Sequence, residues 1–210
     1  MFVLTKLILF WQFARRGLMY EKHAMEAIVL GHTARGGDDA RYVLLTDLYG
    51  RIFASARGVR KVESKLRYAL QDLSHVHVSL VKGKYDWRIT NATAISSLYF
   101  CMQNDRVRIR ALVSICALVA RLVHGEGEHA MLFPILIESA TDLSQTPQDD
   151  VPMLQDIAYA RILHTLGYLG DIVSLHPLFG GNTSVRLTHA RKLGSALQIH
   201  INDALQATHL

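Results

Sequence analysis

The sequence predicts an α+β protein, with a five-stranded antiparallel β-barrel in the first half of the chain and an all-α domain in the second. Short apolar runs separated by turn signals follow one another between residues 25 and 98, without crossover helices between them. After residue 104, apolar residues recur at helical spacing. Hydrophobic residues make up 50% of the 210 residues, which is enough for a packed core in each half.

The strands of the first half are predicted from alternation and from turns. In residues 75–81, Val76, Val78 and Leu80 alternate with polar residues, which is the period-two pattern of a strand buried on one face. The five predicted strands cover residues 27–32, 41–47, 51–59, 75–81 and 85–92. Five short strands of this kind are typical of a small closed barrel of the OB type, and we assign residues 25–100 to it.

The second half, residues 101–210, is predicted to be entirely helical. Asn104 or Asp105 can cap a first helix, whose apolar positions continue to Val123. Three further helices are predicted over residues 130–143, 152–167 and 184–207. A glycine-rich loop, residues 170–183, precedes the last of them.

We interpret residues 1–24 as an N-terminal extension. The apolar run from Phe2 to Phe13 is too short to span a bilayer as a helix, and it lacks the flanking features of a signal peptide. We favour translated upstream sequence, with the functional start at Met19 or Met25. An amphipathic peripheral helix and a signal peptide are the alternatives. No other segment is a candidate for crossing a membrane.

Positive charge is concentrated at the end of the third predicted strand. The formal net charge of the chain is +5, and residues 54–68 alone carry +4, because five cations there accompany the single acid Glu63. OB-type barrels bind nucleic acid with cations on the phosphates and aromatic rings under the bases. The predicted nucleic-acid contacts are Arg57, Arg60, Lys61, Lys65, Arg67, Lys82, Lys84 and Arg88.

Other residues of the barrel are candidates to extend this surface. Arg51 could add a cation, and Tyr42, Tyr85 and Trp87 could stack on bases. For Trp87 we favour a place in the core, because large aromatic side chains are usually buried. The alternative for the whole basic segment is a solvated loop without a ligand.

A series of short motifs occurs in a fixed order along the chain. These motifs are Ala27–Leu30, Gly36–Asp39, Thr46, Gly50, Ala56–Lys61 with Ser64, Leu70–Leu73 and Ile162–Asp171. Their order resembles the bacterial RecO family over about residues 25–171, and the barrel half resembles the family's N-terminal domain. The acidic turn reads Gly-Gly-Asp-Asp here, where the family has a glycine followed by glutamate.

The resemblance implies a non-enzymatic recombination mediator that acts in DNA repair. Such a protein binds single- and double-stranded DNA, anneals complementary strands and assists the loading of RecA together with RecR. The implied protein partners are RecR and the C-terminal tail of the single-stranded-DNA-binding protein. The implied location is cytoplasmic and associated with the nucleoid, without a membrane partner.

Two alternatives from other classes stay open. In the first, the helical half is an adaptor for the single-stranded-DNA-binding protein, and the chain itself binds little DNA. A cationic and apolar groove near Arg106, Arg108, Arg110 and Arg121 could accept the acidic tail of that partner. In the second, the barrel binds RNA.

The sequence offers no catalytic set, and we expect no enzyme activity, no cofactor and no metal. Many RecO proteins carry a four-cysteine zinc site, but residues 170–184 contain no cysteine, and His176 and His189 cannot replace it alone. The cluster of His124, Glu126, Glu128 and His129 is interpreted as a solvated polar loop. His75 and His77 are interpreted as part of a polar outer strand face. Cys101 and Cys116 are expected to be reduced, as in the cytosol.

Overall fold

A computed structural model of the protein describes residues 21–83, 86–102, 104–127 and 131–208. Its strands are β1 (Lys22–Arg35), β2 (Asp39–Thr46), β3 (Gly50–Ala56), β4 (Ser74–Lys82) and β5 (Trp87–Ser97). The extension predicted before the barrel lies mostly outside the described residues, which begin one residue before β1. Each predicted strand coincides with an observed one, although β1 and β5 are longer than the apolar runs that predicted them.

The five strands form a closed barrel in the order β1-β2-β3-β5-β4. Strand β1 pairs with both β2 and β4, and each of these pairs is antiparallel. The barrel closes where β3 pairs in parallel with β5, with Ala54 opposite Trp87. The OB-type barrel is therefore confirmed, but its sheet is mixed rather than wholly antiparallel. A closed ring with an odd number of strands cannot alternate in direction all the way round, so one neighbouring pair must be parallel.

The interior of the barrel is built by strict alternation along the strands. In β3, Ile52, Ala54 and Ala56 are buried, while the residues between them are partly exposed. Helix α1 (Lys65–Ala69) lies between β3 and β4, and Ala69 and the following Leu70 belong to the barrel core. A bulge between Val29 and Gly31 shifts the register of β1 against β2.

The second half consists of helices, as predicted. They are α2 (Leu98–Cys101), α3 (Arg106–Leu122), α4 (Leu132–Gln145), α5 (Val151–Thr165), α6 (His176–Phe179), α7 (Thr183–Leu193) and α8 (Ser195–Ala207). Short 3-10 turns at Gln148–Asp150 and Val173–Leu175 complete this domain. None of the helices in the described part of the chain combines the length and the apolarity needed to cross a membrane.

Side chains at the helix ends explain where several helices begin. Of the two candidate caps for α3, Asp105 is the one that caps, because its carboxylate accepts hydrogen bonds from the backbone N–H groups of Val107 and Arg108. The Asn182 side chain caps α7 in the same way. The prediction of a single last helix was wrong, since Gly194 separates α7 from α8. Gly194 adopts a φ of 54° and a ψ of −129°, a conformation that side chains other than glycine rarely tolerate.

The barrel and the helical domain share an apolar interface. Ile28 of β1 and Leu45 of β2 are fully buried, yet they belong to the core of the helical domain and not to that of the barrel. Both point outward, because their neighbours Ala27 and Leu44 face the barrel interior. Leu73, between α1 and β4, joins the same core.

An ion-pair network around two buried arginines, Arg161 and Arg186, connects α4, α5 and α7. Arg186 donates hydrogen bonds to Asp142 at 2.9 Å and to Glu138 at 3.3 Å, and Arg161 donates to Glu138 at 2.8 Å. The Arg186 side chain is only 5% exposed, so water cannot replace its partners. The network therefore fixes these three helices against one another, whereas the apolar contacts around it supply most of the burial.

The first prediction concerns this network. We expect Arg186→Ala to lower the free energy of unfolding by about 3 kcal/mol, because it leaves the largely buried Asp142 carboxylate without its counter-ion. Urea unfolding followed by circular dichroism measures the change. The matched control is Arg191→Ala, which removes an exposed partner of Asp150 and is expected to cost less than about 1 kcal/mol. Equal losses of unfolding free energy in both variants would contradict the structural role given to the Arg186 ion pairs.

Candidate nucleic-acid interface

The basic segment predicted from the sequence, called the basic loop below, comprises the exposed loop after β3 and helix α1, which carries Lys65 and Arg67. The side chains of Arg57, Arg60, Lys61, Lys65 and Arg67 are all exposed. Within the described residues, no ion pair involves any of them. A cluster of exposed cations without carboxylate partners can bind phosphate groups without first breaking an ion pair.

The acidic turn between β1 and β2 holds this basic loop in place. Asp39 accepts a hydrogen bond at 2.8 Å from the backbone N–H of Gly58. Arg60 donates its backbone N–H to the Asp38 carbonyl at 2.9 Å and its guanidinium to the Gly37 carbonyl at 3.1 Å. The Gly-Gly-Asp-Asp turn, whose role the sequence does not reveal, therefore anchors the loop that carries the cations.

An aromatic ring lies between two cations on the outer face of β2 and β3. The guanidinium carbon of Arg41 is 4.3 Å from the centroid of the Phe53 ring, and that of Arg51 is 4.9 Å from it. Next to this group, Ser55 of β3 is opposite Arg88 of β5, whose side chain is exposed. Guanidinium groups held on a ring keep their planar faces oriented, as stacking on bases requires.

Sequence reasoning missed Phe53 and Arg41 as parts of this face. The signal was present in the alternation of β3, where Phe53 stands between the inward-facing Ile52 and Ala54 and must therefore face outward. The two arginines also have other contacts. Arg41 pairs with Asp86 at 2.9 Å, and Arg51 donates a hydrogen bond to the Ala120 carbonyl of α3. Burial lowers the pKa of Arg51, which still remains a cation at neutral pH.

Lys82 lies at another part of the barrel and is paired with an acid. Its ammonium group is 2.7 Å from a carboxylate oxygen of Glu126, and the other carboxylate oxygen accepts a hydrogen bond from the Trp87 indole at 2.8 Å. Glu126 also forms a β-bridge with Gly50. The hydrogen bond from Lys82 is the main cause that lowers the pKa of Glu126, so the carboxylate is ionised near neutral pH.

These contacts correct the interpretation of residues 124–129 as a merely solvated loop. Glu126 attaches this segment to the barrel, while Glu128 and His129 lie outside the described residues. The predicted contact Lys84 and the stacking candidate Tyr85 also lie outside them. Trp87 is buried, as favoured from the sequence, so it is not available to stack on a base.

The cations proposed for a protein partner lie along α3. Arg106, Arg110 and Arg121 are exposed. Arg108 instead bonds to Asp105 at 3.0 Å and to the Leu143 carbonyl. The first turns of α3 therefore present two exposed cations, Arg106 and Arg110, that form no ion pair with any described residue, and the exposed apolar residue Val107 lies between them in the sequence.

The histidines that were considered as metal ligands have other partners. His176 pairs with Asp171 at 2.5 Å, and His189 contacts the Ser174 carbonyl at 2.6 Å. His75 contacts Glu26 at 2.9 Å and is largely covered. Across the ranges that the structure describes, no three His, Cys, Asp or Glu side chains form a group suited to a metal ion.

The second prediction tests the anchoring role of Asp39. We expect Asp39→Ala to lower the free energy of unfolding by about 1 kcal/mol, because the Gly58 N–H loses its acceptor. Amide hydrogen exchange at Gly58 should accelerate in the same variant. Asp39→Asn is the control, since its side-chain carbonyl can still accept this hydrogen bond. Unchanged exchange at Gly58 in Asp39→Ala would show that the turn does not hold the basic loop.

Comparison with known proteins identifies the barrel. Residues 19–98 match the family described as recombination protein O N terminal. A DNA repair protein RecO from Heliobacterium modesticaldum is 35% identical over 147 residues, which are 70% of this chain and 52% of that protein. The RecO of Roseiflexus is 30% identical and covers 68% of this chain and 49% of its own length. The RecO of Bifidobacterium animalis is 28% identical, and the alignment covers 71% of this chain and 62% of that protein.

The chain thus spans about half the length of the curated relatives that it resembles most clearly. The family match covers the barrel, including the basic loop and its acidic anchor, and the longer alignments continue into the helices. The barrel of this chain is thus similar to the N-terminal domain of the RecO family.

Proposed function

We propose that the protein is a non-catalytic DNA-binding factor of DNA repair, whose barrel binds single- and double-stranded DNA through phosphate groups. The observation that carries this proposal is the exposed cluster of five cations on the basic loop, two of them on its helix α1. The relatives named DNA repair protein RecO support the biological setting. Binding of this kind has little sequence preference and depends strongly on salt.

The proposed interface extends from the basic loop over the outer face of β3 and β5. Arg88 adds an exposed cation, and the Arg41–Phe53–Arg51 group adds flat surfaces on which bases can stack. A surface that neutralises the phosphates of two strands lowers their mutual repulsion. We therefore include strand annealing in the proposal, with assistance to RecA loading together with RecR as its physiological use.

The third prediction tests the basic loop by charge reversal. We expect the triple variant Arg57→Glu, Lys61→Glu and Lys65→Glu to bind a single-stranded oligonucleotide at least about tenfold more weakly at low salt. The slope of log affinity against log salt should also fall by about 2, because three phosphate contacts are lost. Fluorescence anisotropy at two or more salt concentrations gives both quantities.

The control for this variant reverses three exposed cations of α3, Arg106, Arg110 and Arg121, and so changes the net charge equally. This control should keep most of the affinity and the salt slope. Equal losses in the two triple variants would mean that only the overall charge matters. A loss confined to the α3 variant would move the DNA interface to the helical domain.

The fourth prediction concerns Glu126 as the partner of Lys82. Glu126→Gln removes the carboxylate charge but leaves a side-chain oxygen for the Trp87 indole. If Lys82 contacts DNA, this variant should bind more tightly, and its salt slope should steepen by about 1. Asp149→Asn, an equal charge change at an exposed site of the helical domain, serves as the control. The same effect in both variants would exclude Lys82 from the interface.

A second candidate function is an adaptor role for the helical domain. It is favoured by the exposed Arg106 and Arg110 of α3, with the exposed Val107 between them in the sequence, and by the exposed Tyr99 and Phe100 of the preceding helix α2. Such a surface suits an acidic and apolar peptide, as the tail of the single-stranded-DNA-binding protein is implied to be. A tail peptide that binds the full chain and the basic-loop triple variant, but not the α3 triple variant, would support this role.

The same fluorescence anisotropy assay tests whether the nucleic acid that the protein binds is DNA or RNA. RNA of the same sequence that binds more tightly than DNA would replace the DNA proposal with an RNA-binding one. We propose these functions for the basic loop and for Arg106 and Arg110 of α3, whose cations have no carboxylate partner among the described residues.

A further inference from the structure

A cleft of about 560 Å³ lies beside the basic loop, where the β1–β2 hairpin faces the segment that leads from β3 into β4. Its volume lies within the usual range of small-ligand sites. The residues that characterise its walls are His32, Tyr42, Arg60, Arg67, Gln71 and Asp72. The cleft therefore combines aromatic rings, guanidinium groups and hydrogen-bonding side chains in one place.

The aromatic part of the cleft is a stacked pair of rings. The His32 and Tyr42 rings lie 5.4 Å apart at an angle of 26°. Tyr42 is buried, whereas the His32 side chain is 45% exposed. Because Tyr42 covers one face of the imidazole, the other face is available to a further flat group. Burial, and secondarily the charge of Asp72, raises the pKa of Tyr42, so its phenol is neutral at pH 7.

The polar part of the cleft suits the edge of a base and a phosphate. The Asp72 carboxylate contacts His32 Nδ1 at 2.7 Å and fixes the ring, and it is itself exposed enough to accept further hydrogen bonds. Gln71 beside it is exposed and can both donate and accept. Arg67 has no carboxylate partner among the described residues, and Arg60 uses only part of its guanidinium on the Gly37 carbonyl.

We propose that the cleft binds one unstacked nucleotide of a DNA single strand, with its base on His32 and its phosphate near Arg60 and Arg67. This inference rests on the proposed function, since the strand would reach the cleft along the basic loop. Gln71 and Asp72 meet the edge of the base. A duplex offers no free base without the cost of unpairing and unstacking it, so the cleft favours single strands.

The test compares a single-stranded oligonucleotide with an abasic one of equal length and charge, in fluorescence anisotropy with the full chain. We expect the wild type to prefer the oligonucleotide with bases by about fivefold or more, as stacking of one base provides. His32→Ala should remove the part of this preference that stacking on His32 provides, about fivefold, and leave the affinity for the abasic strand unchanged. His77→Ala, an exposed histidine of β4, is the matched control and should retain the preference.

A second variant separates stacking from loss of structure. His32→Asn keeps an amide that can donate to Asp72 but has no ring, and it should lose the same part of the preference as His32→Ala does. Circular dichroism verifies that both variants are folded. Retention of the full preference in either folded variant would overturn the inference, as would equal binding of both strands by the wild type. Either of these two outcomes overturns the inference about the cleft but leaves the proposed DNA binding intact. Failure of the wild type to bind either strand overturns the inference and the proposed function together.

Discussion

The structure depends on the two-residue period of β1 and β2, because these strands supply apolar residues to two different cores. Ala27 and Leu44 face the barrel interior, while Ile28 and Leu45 face the helices. A shift of one residue in either strand would exchange the two sets and uncover both cores. The position of the helical domain on the barrel therefore follows from the same alternation that builds the barrel. The hydrogen bond from Arg51 to the Ala120 carbonyl adds a polar contact across this interface.

This arrangement also decides which part of the barrel is free to bind a ligand. The helical domain covers the outward-facing apolar residues at one end of β1 and β2. Phe53, Ser55 and Arg88 are not among the residues that pack against the helical domain. They lie on the outer face of β3 and β5, where the parallel pairing closes the barrel. The basic loop continues directly from β3, so its cations stand next to this face. The sheet that packs the domains together thus leaves Phe53, Ser55 and Arg88 outside the core that the two domains share.

Much of the fold follows from local patterns in the sequence, while the long-range pairings do not. Alternation predicts β4 and β5, apolar runs between turn signals predict β1 to β3, and helical spacing predicts α3, α4 and α5. The break at Gly194 was missed because apolar spacing continues across it, and only the positive φ ends the helix. The basic segment was predicted as a connection after β3, but its second part forms helix α1, where the sequence predicted no helix. Its anchor Asp39 and the partner of Lys82, Glu126, could not be predicted, because 19 and 44 residues separate them from the groups that they contact.

The acids near the barrel determine which of its cations can act on a phosphate. Asp86 pairs with both Arg35 and Arg41, and Glu126 pairs with Lys82, so these three cations must exchange a carboxylate for a phosphate. Asp39 differs, because its carboxylate is directed at a backbone N–H and leaves the cations of the loop unneutralised. A net charge counted from sequence treats all of these acids alike. In the described contacts, Asp86 and Glu126 neutralise cations, whereas Asp39 positions the loop that carries them. DNA affinity should therefore depend mainly on the cations that have no carboxylate partner among the described residues.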